Sequence, residues 1–179
     1  ELGLRRFDIC TGCGSGAMKG SMRGAFYAHK RQKHSAGHFI GISEPGIIAA
    51  EAPNDMVSDL VIMPNIEKRL EAFVRIAHGI VIFPGGPGTL EEILYLLAIF
   101  ATSDNKEDPL PVVLTGPESS RSIVDAYVTF LETALGQGIT SRIDVIIGDA
   151  TYVAEKMQAG RDKVKKYRLS SFKEYKKTS

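Results

Sequence analysis

The chain has 179 residues, of which 44% are hydrophobic and 24% are charged, and its formal net charge is +1. This length accommodates one sizeable hydrophobic core, whereas two full domains of ordinary size do not fit. The sequence has two cysteines and no run of about 18 apolar residues, which excludes a disulfide-rich secreted domain and predicts no membrane-spanning helix. We therefore expect a cytoplasmic globular protein without membrane partners.

Six short runs rich in Val, Ile and Leu alternate with stretches that are mostly long enough for helices. The runs are FDIC (7–10), HFIGIS (38–43), LVIM (60–63), IVIF (80–83), PVVLT (111–115) and DVIIG (144–148). Nearly continuous apolar strands separated by helices are typical of a parallel sheet that is covered on both faces. We therefore expect a doubly wound, Rossmann-like α/β fold.

The first six residues, ELGLRR, resemble the end of a helix that leads directly into the first strand. In an alternating fold, a helix at this place should itself follow a strand. We therefore expect that the given chain is part of a longer protein and that an N-terminal strand of the same sheet is missing from it.

A first glycine-rich turn, TGCGSGAMKG (11–20), follows the first strand and precedes a helix expected to begin near Ala17. Its glycines permit tight turns and close approach of a ligand at the edge where α/β sheets bind ligands. Gly12, Gly14 and Ala17 also fit the dinucleotide pattern G-x-G-x-x-A, which expects an acidic residue about 20 positions later. Glu44 lies 32 positions beyond Gly12, so the spacing favours a mononucleotide over a dinucleotide.

The cysteines and histidines raise two alternative functions for this part of the chain, namely a redox pair and a metal site. Cys10 and Cys13 form a C-x-x-C pair, in which a thiol pKa can be lowered. However, Cys10 sits in an apolar strand, and no second pair completes a four-cysteine zinc site. His29 and His34 belong to the basic run HKRQKH, and His78 ends a predicted helix where a cation suits the helix dipole. We expect no metal.

The segment IEKRLEAFVRIAH (66–78) has the periodicity of an amphipathic helix. Its apolar face consists of Ile66, Leu70, Phe73, Val74 and Ala77. Arg69 lies about 40° from Phe73 on a helical wheel, so its stem can follow the core while its guanidinium reaches outward. An arginine in this place is either functional or an ordinary surface residue whose stem covers apolar surface.

A second glycine-rich turn, FPGGPGTLEE (83–92), opens the next helix. Its backbone amides and the helix dipole would attract an anion, yet Glu91 and Glu92 would repel one. Thr89 and Glu92 also have the spacing of a capping box, which would explain Glu92 without catalysis. A cap does not require the three preceding glycines, which suit an exposed nest of amides.

The pattern Pro84-Gly85-Gly86-x-Gly88-Thr89-x-x-Glu92, preceded by Arg69, resembles the signature of the LOG family, once widely labelled lysine decarboxylases. The surrounding EPGIIAAEAPND and IMPNIEKRLEAFVRIAHGIVIFPGGPGTLEE are similar to the longer bacterial pyrimidine/purine nucleotide 5′-monophosphate nucleosidases of this family. The similarity covers roughly residues 7–150. No lysine is placed for a pyridoxal phosphate Schiff base, so the older label finds no support.

The resemblance implies hydrolysis of nucleoside 5′-monophosphates to free base and ribose 5-phosphate, by a homo-oligomer (dimer or tetramer) that uses no cofactor. It implies that Glu92 and Arg69 are catalytic. The residues that would bind the phosphate and the rest of the nucleotide are Gly85, Gly86, Gly88, Thr89, Gly12, Gly14, Ser15 and Met18. Glu51 is a weaker candidate for the ribose hydroxyls. The phosphate-binding turn and the Glu92 carboxylate would then contact different ends of one nucleotide.

Two questions stay open at this point. Glu92 could stabilise positive charge on the ribose or activate the attacking water. A nucleotide-binding or carrier protein of the same fold could also use the same glycine turn without hydrolysis, because a fold does not establish an activity.

The last residues form a basic segment, since 161–179 contain eight Lys or Arg and two acidic residues. They lack clear apolar periodicity and are not combined with a platform of aromatic residues elsewhere, so nucleic acid is not expected as a partner. We expect a nucleotide-binding catalytic domain over residues 1–158 and a basic helix end or extension over residues 159–179.

Overall fold

The computed structural model of the protein describes residues 1–102 and 108–178. It contains two compact units, Glu1–Ala77 and His78–Ser179. Each unit is built around its own three-stranded parallel sheet.

The first unit alternates strands and helices in chain order. Its elements are a 3-10 helix (Gly3–Arg5), β1 (Ile9–Thr11), α1 (Ala17–Arg31), β2 (Phe39–Ser43), α2 (Pro45–Ala50), β3 (Asp59–Ile62) and α3 (Ile66–Ile76). The strand order is β1-β2-β3, with Ile9 opposite Phe39 and Ile40 opposite Asp59. Ile9 and Phe39 pack with Met22 and Ala25 of α1 in a small core.

The second unit repeats this alternation. Its elements are β4 (Ile80–Ile82), α4 (Pro87–Ala101), β5 (Val112–Gly116), a 3-10 helix (Glu118–Ser120), α5 (Arg121–Leu135), α6 (Gln137–Thr140), β6 (Asp144–Ile147) and α7 (Ala150–Thr178). The order β4-β5-β6 places β5 in the middle of the sheet, where all five of its residues are buried. Helix α4 buries Ile93, Leu96, Leu97 and Phe100.

The predicted fold class is confirmed, because parallel strands alternate with flanking helices in both units. All six predicted strands are present, with boundaries that move by one or two residues. The helix predicted over 66–78 ends at Ile76, and the residues ELGLRR include a single 3-10 turn. Among the helices of the described ranges, none combines the length and apolar character needed to cross a membrane.

Candidate functional site

The first glycine-rich turn is a buried connection between β1 and α1. Gly12, Cys13 and Gly14 are all buried, and helix α1 begins at Ala17 after Gly16. Cys13 has φ of 59°, a left-handed conformation that is uncommon for a residue with a side chain. Gly16, with φ of 61°, adopts a similar backbone angle at no steric cost. The turn is therefore tightly folded.

Arg69 of α3 lies against this turn. The residue is 7% exposed, and its Nε donates a hydrogen bond to the Ile42 carbonyl oxygen at 3.2 Å. The guanidinium carbon lies 5.2 Å from the centre of the Phe73 ring. A Cβ added to Gly12 would come within 2.4 Å of Arg69 Nη2. The expectation of a guanidinium that reaches outward is therefore wrong, because packing against Gly12 and Phe73 buries it.

Met18 and Ser15 surround the same glycines. The Met18 sulfur would lie 3.2 Å from a Cβ on Gly12, and its methyl group 2.6 Å from a Cβ on Gly14. The Ser15 amide donates to Glu51 Oε1 at 3.2 Å. Glu51 thus binds the backbone of the turn. The structure brings four of the predicted nucleotide-binding residues together with Arg69 in the first unit.

The Cys10 thiol lacks the low pKa that a redox pair requires. Burial raises the pKa of the Cys10 thiol to about 12, with a further contribution from Cys13, while the positive charge of Arg69 acts in the opposite direction. Cys13 is 2% exposed. A protonated thiol in such surroundings is a poor nucleophile and metal ligand. The redox interpretation of this C-x-x-C pair is therefore not supported.

The histidines belong to the packing of the first unit or to an exposed loop. The His29 ring is buried with its centre 4.9 Å from that of His34, and burial lowers the His29 pKa, followed by the effect of His34. His78 is exposed at the start of the second unit. Over residues 1–102 and 108–178, no group of three or more His, Cys, Asp or Glu side chains is placed to hold a metal ion.

The second glycine-rich turn differs from its sequence-based interpretation at the start of α4. Gly86 is the N-cap residue without a side-chain capping bond, Pro87 is the first helical residue, and Thr89 lies inside the helix. The Thr89 amide donates to the Gly86 carbonyl oxygen at 3.0 Å. The capping box is therefore wrong, since Pro87 already starts the helix. No acidic residue lies in the first turn, so Glu92 falls in the second turn.

A tyrosine from α5 holds this turn. The Tyr127 hydroxyl accepts a hydrogen bond from the Gly85 amide at 3.3 Å and donates one to the Gly85 carbonyl oxygen. The amides of Gly85 and Thr89 are therefore engaged within the protein. Gly86 and Gly88 are exposed, and their amides make no hydrogen bond to the described residues. Binding of phosphate by this turn stays a prediction, with Gly86 and Gly88 as its main backbone donors.

Glu92 occupies an exposed position on α4. It follows Gly88 by four residues, so both lie on one face of the helix, separated by about 6 Å along its axis. Side chains of a helix point back towards its N-terminus, which directs the Glu92 carboxylate towards the glycine-rich turn. Gly88 and Glu92 therefore lie on the same exposed face of the second unit's helix α4, near its N-terminus.

Sequence reasoning missed Tyr127 and Asn54. The Asn54 side chain donates to the carbonyl oxygens of Cys13 and Gly14 at 2.9 Å each. Tyr127 and Asn54 each act on a turn about 40 residues away, and no local pattern signals such contacts. Asn54 precedes Asp55 in a segment whose composition indicates only a turn.

A family model described as possible lysine decarboxylase matches residues 18–157. The matched segment includes α3 with Arg69 and the complete motif over 84–92. The chain belongs to the LOG family. The resemblance stated from the motif is thereby confirmed.

Curated relatives of this LOG-family chain include bacterial and plant proteins. It is 51% identical over 168 residues to the pyrimidine/purine nucleotide 5′-monophosphate nucleosidase of Escherichia coli, a match that covers 94% of this chain and 37% of the relative. It is 24% identical over 141 residues to a cytokinin riboside 5′-monophosphate phosphoribohydrolase of Arabidopsis thaliana, covering 79% of this chain and 59% of the relative. A phosphoribohydrolase of the same name from Oryza sativa is 25% identical over 138 residues, covering 77% and 52%. The chain thus spans little more than a third of its bacterial relative.

Proposed function

We propose that this LOG-family protein hydrolyses the N-glycosidic bond of nucleoside 5′-monophosphates to free base and ribose 5-phosphate. The observation that supports the proposal is the start of α4, where Gly86, Gly88 and Glu92 are all exposed and Gly88 and Glu92 lie on one face of the helix. The names of the bacterial and plant relatives, a nucleosidase and phosphoribohydrolases of 5′-monophosphates, support it.

The 5′-phosphate binds at the N-terminus of α4. The amides of Gly86 and Gly88 donate to its oxygens, and the positive end of the helix dipole adds to the attraction. Glycine at these two places leaves the backbone accessible, since a Cβ on either would meet no atom within 4 Å. The phosphate therefore anchors the substrate beside the carboxylate-bearing face of the helix.

Glu92 acts on the sugar. As the bond between C1′ and the base nitrogen breaks, positive charge develops on the ribose, as in glycosidase transition states. A water oxygen then bonds to C1′, one water proton ends on the base, and free base leaves. The ionised Glu92 carboxylate either stabilises the developing charge or takes the proton from water before it reaches the base.

Arg69 and the first turn bind the nucleotide in this proposal. The hydrogen bond from Nε to Ile42 and the contact with Gly12 fix the guanidinium, which reduces the entropy lost when it binds an anion. Gly12, Gly14, Ser15 and Met18 keep the nucleotide-binding role that the resemblance implies. No cofactor takes part.

The proposal also includes a cytoplasmic location, a role in nucleotide salvage and a homo-oligomeric state. In the second unit, Leu94 of α4 and Phe130 of α5 are 38% and 50% exposed, which leaves apolar surface open to a partner subunit. Light scattering of the full-length protein at micromolar concentration should show a dimer or tetramer. A stable and active monomer would refute this part of the proposal.

The main experiment incubates full-length protein with AMP, GMP, CMP and UMP, without added metal or cofactor. Free base and ribose 5-phosphate should appear in equal amounts from at least one monophosphate. Release of inorganic phosphate together with a nucleoside would show a different reaction and would contradict the proposal.

A further inference from the structure

The side-chain nitrogen of Asn54 bonds to the first glycine-rich turn, and its side-chain oxygen bonds to the segment that follows Asn54. Its Nδ2 donates to the carbonyl oxygens of Cys13 and Gly14 at 2.9 Å each, while its Oδ1 accepts from the Met56 amide at 3.0 Å. The Asn54 backbone amide also donates to the Cys13 carbonyl oxygen at 2.9 Å. Two acceptors on one side and an amide donor on the other define which atom of the carboxamide is nitrogen.

These hydrogen bonds stabilise a segment whose backbone conformation is otherwise unfavourable. Cys13 has a left-handed φ of 59°, which its Cβ disfavours, and it lies between the buried glycines 12 and 14. Buried carbonyl groups must find donors, and the carboxamide supplies two in a fixed geometry. Asn54 therefore stabilises the particular path of the turn rather than a regular element of the fold.

The path of the turn determines what surrounds Arg69. Gly12 approaches the guanidinium so closely that a Cβ there would lie 2.4 Å from Nη2, and the next residues bring Gly14 under Met18. A shift of the Cys13 or Gly14 carbonyl would change both contacts. Asn54 itself needs no contact with the nucleotide in order to influence its binding.

We propose that Asn54 is a positioning residue, whose carboxamide holds turn 12–14 in the conformation that places Gly12 against Arg69 and receives the nucleotide. This inference rests on the proposed function in one respect, namely that the first turn and Arg69 bind nucleoside monophosphate. It does not require that hydrolysis follows binding.

The test uses one isosteric substitution at two asparagines of the first unit. Asn54→Asp keeps the shape but removes both donors and sets a negative charge against two carbonyl oxygens. Asn65 provides the matched control, because it caps α3 with its side-chain oxygen, which accepts from the Lys68 amide at 2.9 Å. Aspartate supplies the same oxygen, and Asp and Asn are equally good N-caps. Asn65 also lies only four residues before Arg69.

In the full-length protein, Asn54→Asp should weaken AMP binding in calorimetry at least about 10-fold, and KM should rise by a similar factor, as expected when hydrogen bonds that order a binding surface are lost. Asn65→Asp should stay within about twofold of the wild type, since its capping oxygen is retained. A purely structural role would instead lower the melting temperature and the folded fraction, which reduces apparent kcat and leaves KM unchanged.

The outcomes separate this inference from the proposed function. Wild-type protein that binds AMP but releases base from none of the four monophosphates would refute hydrolysis and leave the affinity comparison valid. Equal affinity in Asn54→Asp and Asn65→Asp for the monophosphate that the wild type binds would overturn the role of Asn54, as would wild-type protein that binds none of the four monophosphates. If Asn54→Asp does not fold, Asn54→Ser removes the paired donors without burying a charge. Its nucleotide affinity is then compared with that of Asn65→Asp, and equal affinities would again overturn the role of Asn54.

Discussion

The two glycine-rich turns use the same residue type for opposite purposes. In the first turn Gly12 and Gly14 are buried, and an added Cβ would come within 2.4 Å of Arg69 and 2.6 Å of Met18. In the second turn Gly86 and Gly88 are exposed, and an added Cβ would meet nothing within 4 Å. The first turn needs glycine for packing around a buried cation, whereas the second leaves backbone amides open to solvent and ligand.

The turns also differ in how they are held. Side chains of Asn54 and Glu51 bind the backbone of the first turn from a neighbouring segment. The second turn is held at Gly85 by the hydroxyl of Tyr127. A rigid, internally bonded turn suits the orientation of a charged side chain. An exposed turn whose Gly86 and Gly88 amides bind none of the described residues suits direct contact with an anion. Glycine content alone does not distinguish these roles.

Removal of the 5′-phosphate from the substrate should have the largest effect, because it tests the open amides of the second turn. Two hydrogen bonds to a charged phosphate contribute about 1.5–3 kcal/mol each, so kcat/KM should fall about 150-fold to 20,000-fold between a monophosphate and its nucleoside. Steady-state rates with AMP and adenosine provide the measurement. Comparable values for the pair would show that the amides have another task.

The same substitution in both turns tests the packing difference. Gly12→Ala introduces a Cβ against Arg69 Nη2, and we expect the free energy of unfolding to fall by about 1–3 kcal/mol through overpacking. Gly88→Ala introduces a Cβ that meets no atom of the protein within 4 Å, so the free energy of unfolding should not fall. Denaturant unfolding of the wild type and both variants provides the measurement. Equal losses of stability in the two variants would contradict the comparison.

Loss of the tyrosine hydroxyl should have a smaller effect. Tyr127→Phe removes both hydrogen bonds to Gly85 but preserves the ring, so the second turn loses one anchor while its Gly86 and Gly88 amides remain. We expect KM for AMP to rise about threefold to tenfold, the scale of one ordinary hydrogen bond, with kcat nearly unchanged. Tyr95→Phe is a control in the same unit that does not touch Gly85 in the described contacts. Identical KM values for the two variants would exclude an anchoring role.

The last prediction concerns the reactivity of the two thiols in the native protein, which reports only whether the first turn stays closed around them. Burial raises the pKa of Cys10 to about 12, so this thiol stays protonated at pH 8. Cys13 is buried as well. Neither cysteine of the native protein should react with a thiol reagent within minutes at pH 8, whereas both should react after denaturation. Rapid reaction of one native thiol would show that the turn opens.

The sequence predicted the elements better than their tertiary contacts. Strand β5 could be recognised because a central parallel strand is apolar along its whole length, and α3 because its apolar residues follow a helical period. The start of α4 was misplaced because Thr89 and Glu92 match a capping box, while Pro87 fixes an earlier first residue. Helical periodicity gives the angle of Arg69 around the helix but not the depth to which Gly12 and Phe73 bury it. Asn54 was missed because its partners lie 40 and 41 residues away.

The central claim of the proposal is that the Glu92 carboxylate takes part in hydrolysis of the N-glycosidic bond. The variant Glu92→Gln tests this claim most directly. Glutamine keeps the size of the side chain but lacks the charge and the basicity, so kcat for AMP should fall at least about 100-fold. Because Glu92 is exposed and is not part of a capping box, the interactions of its carboxylate contribute at most about 1 kcal/mol, and the free energy of unfolding should change by no more than that. Affinity for AMP should be retained.

Glu91→Gln is the matched control, because Glu91 is the neighbouring exposed carboxylate on the same helix. The measurement is kcat, melting temperature and AMP affinity for wild type and both variants of the full-length protein. Our account predicts a selective loss of kcat in Glu92→Gln. Near-wild-type turnover in that variant would contradict it.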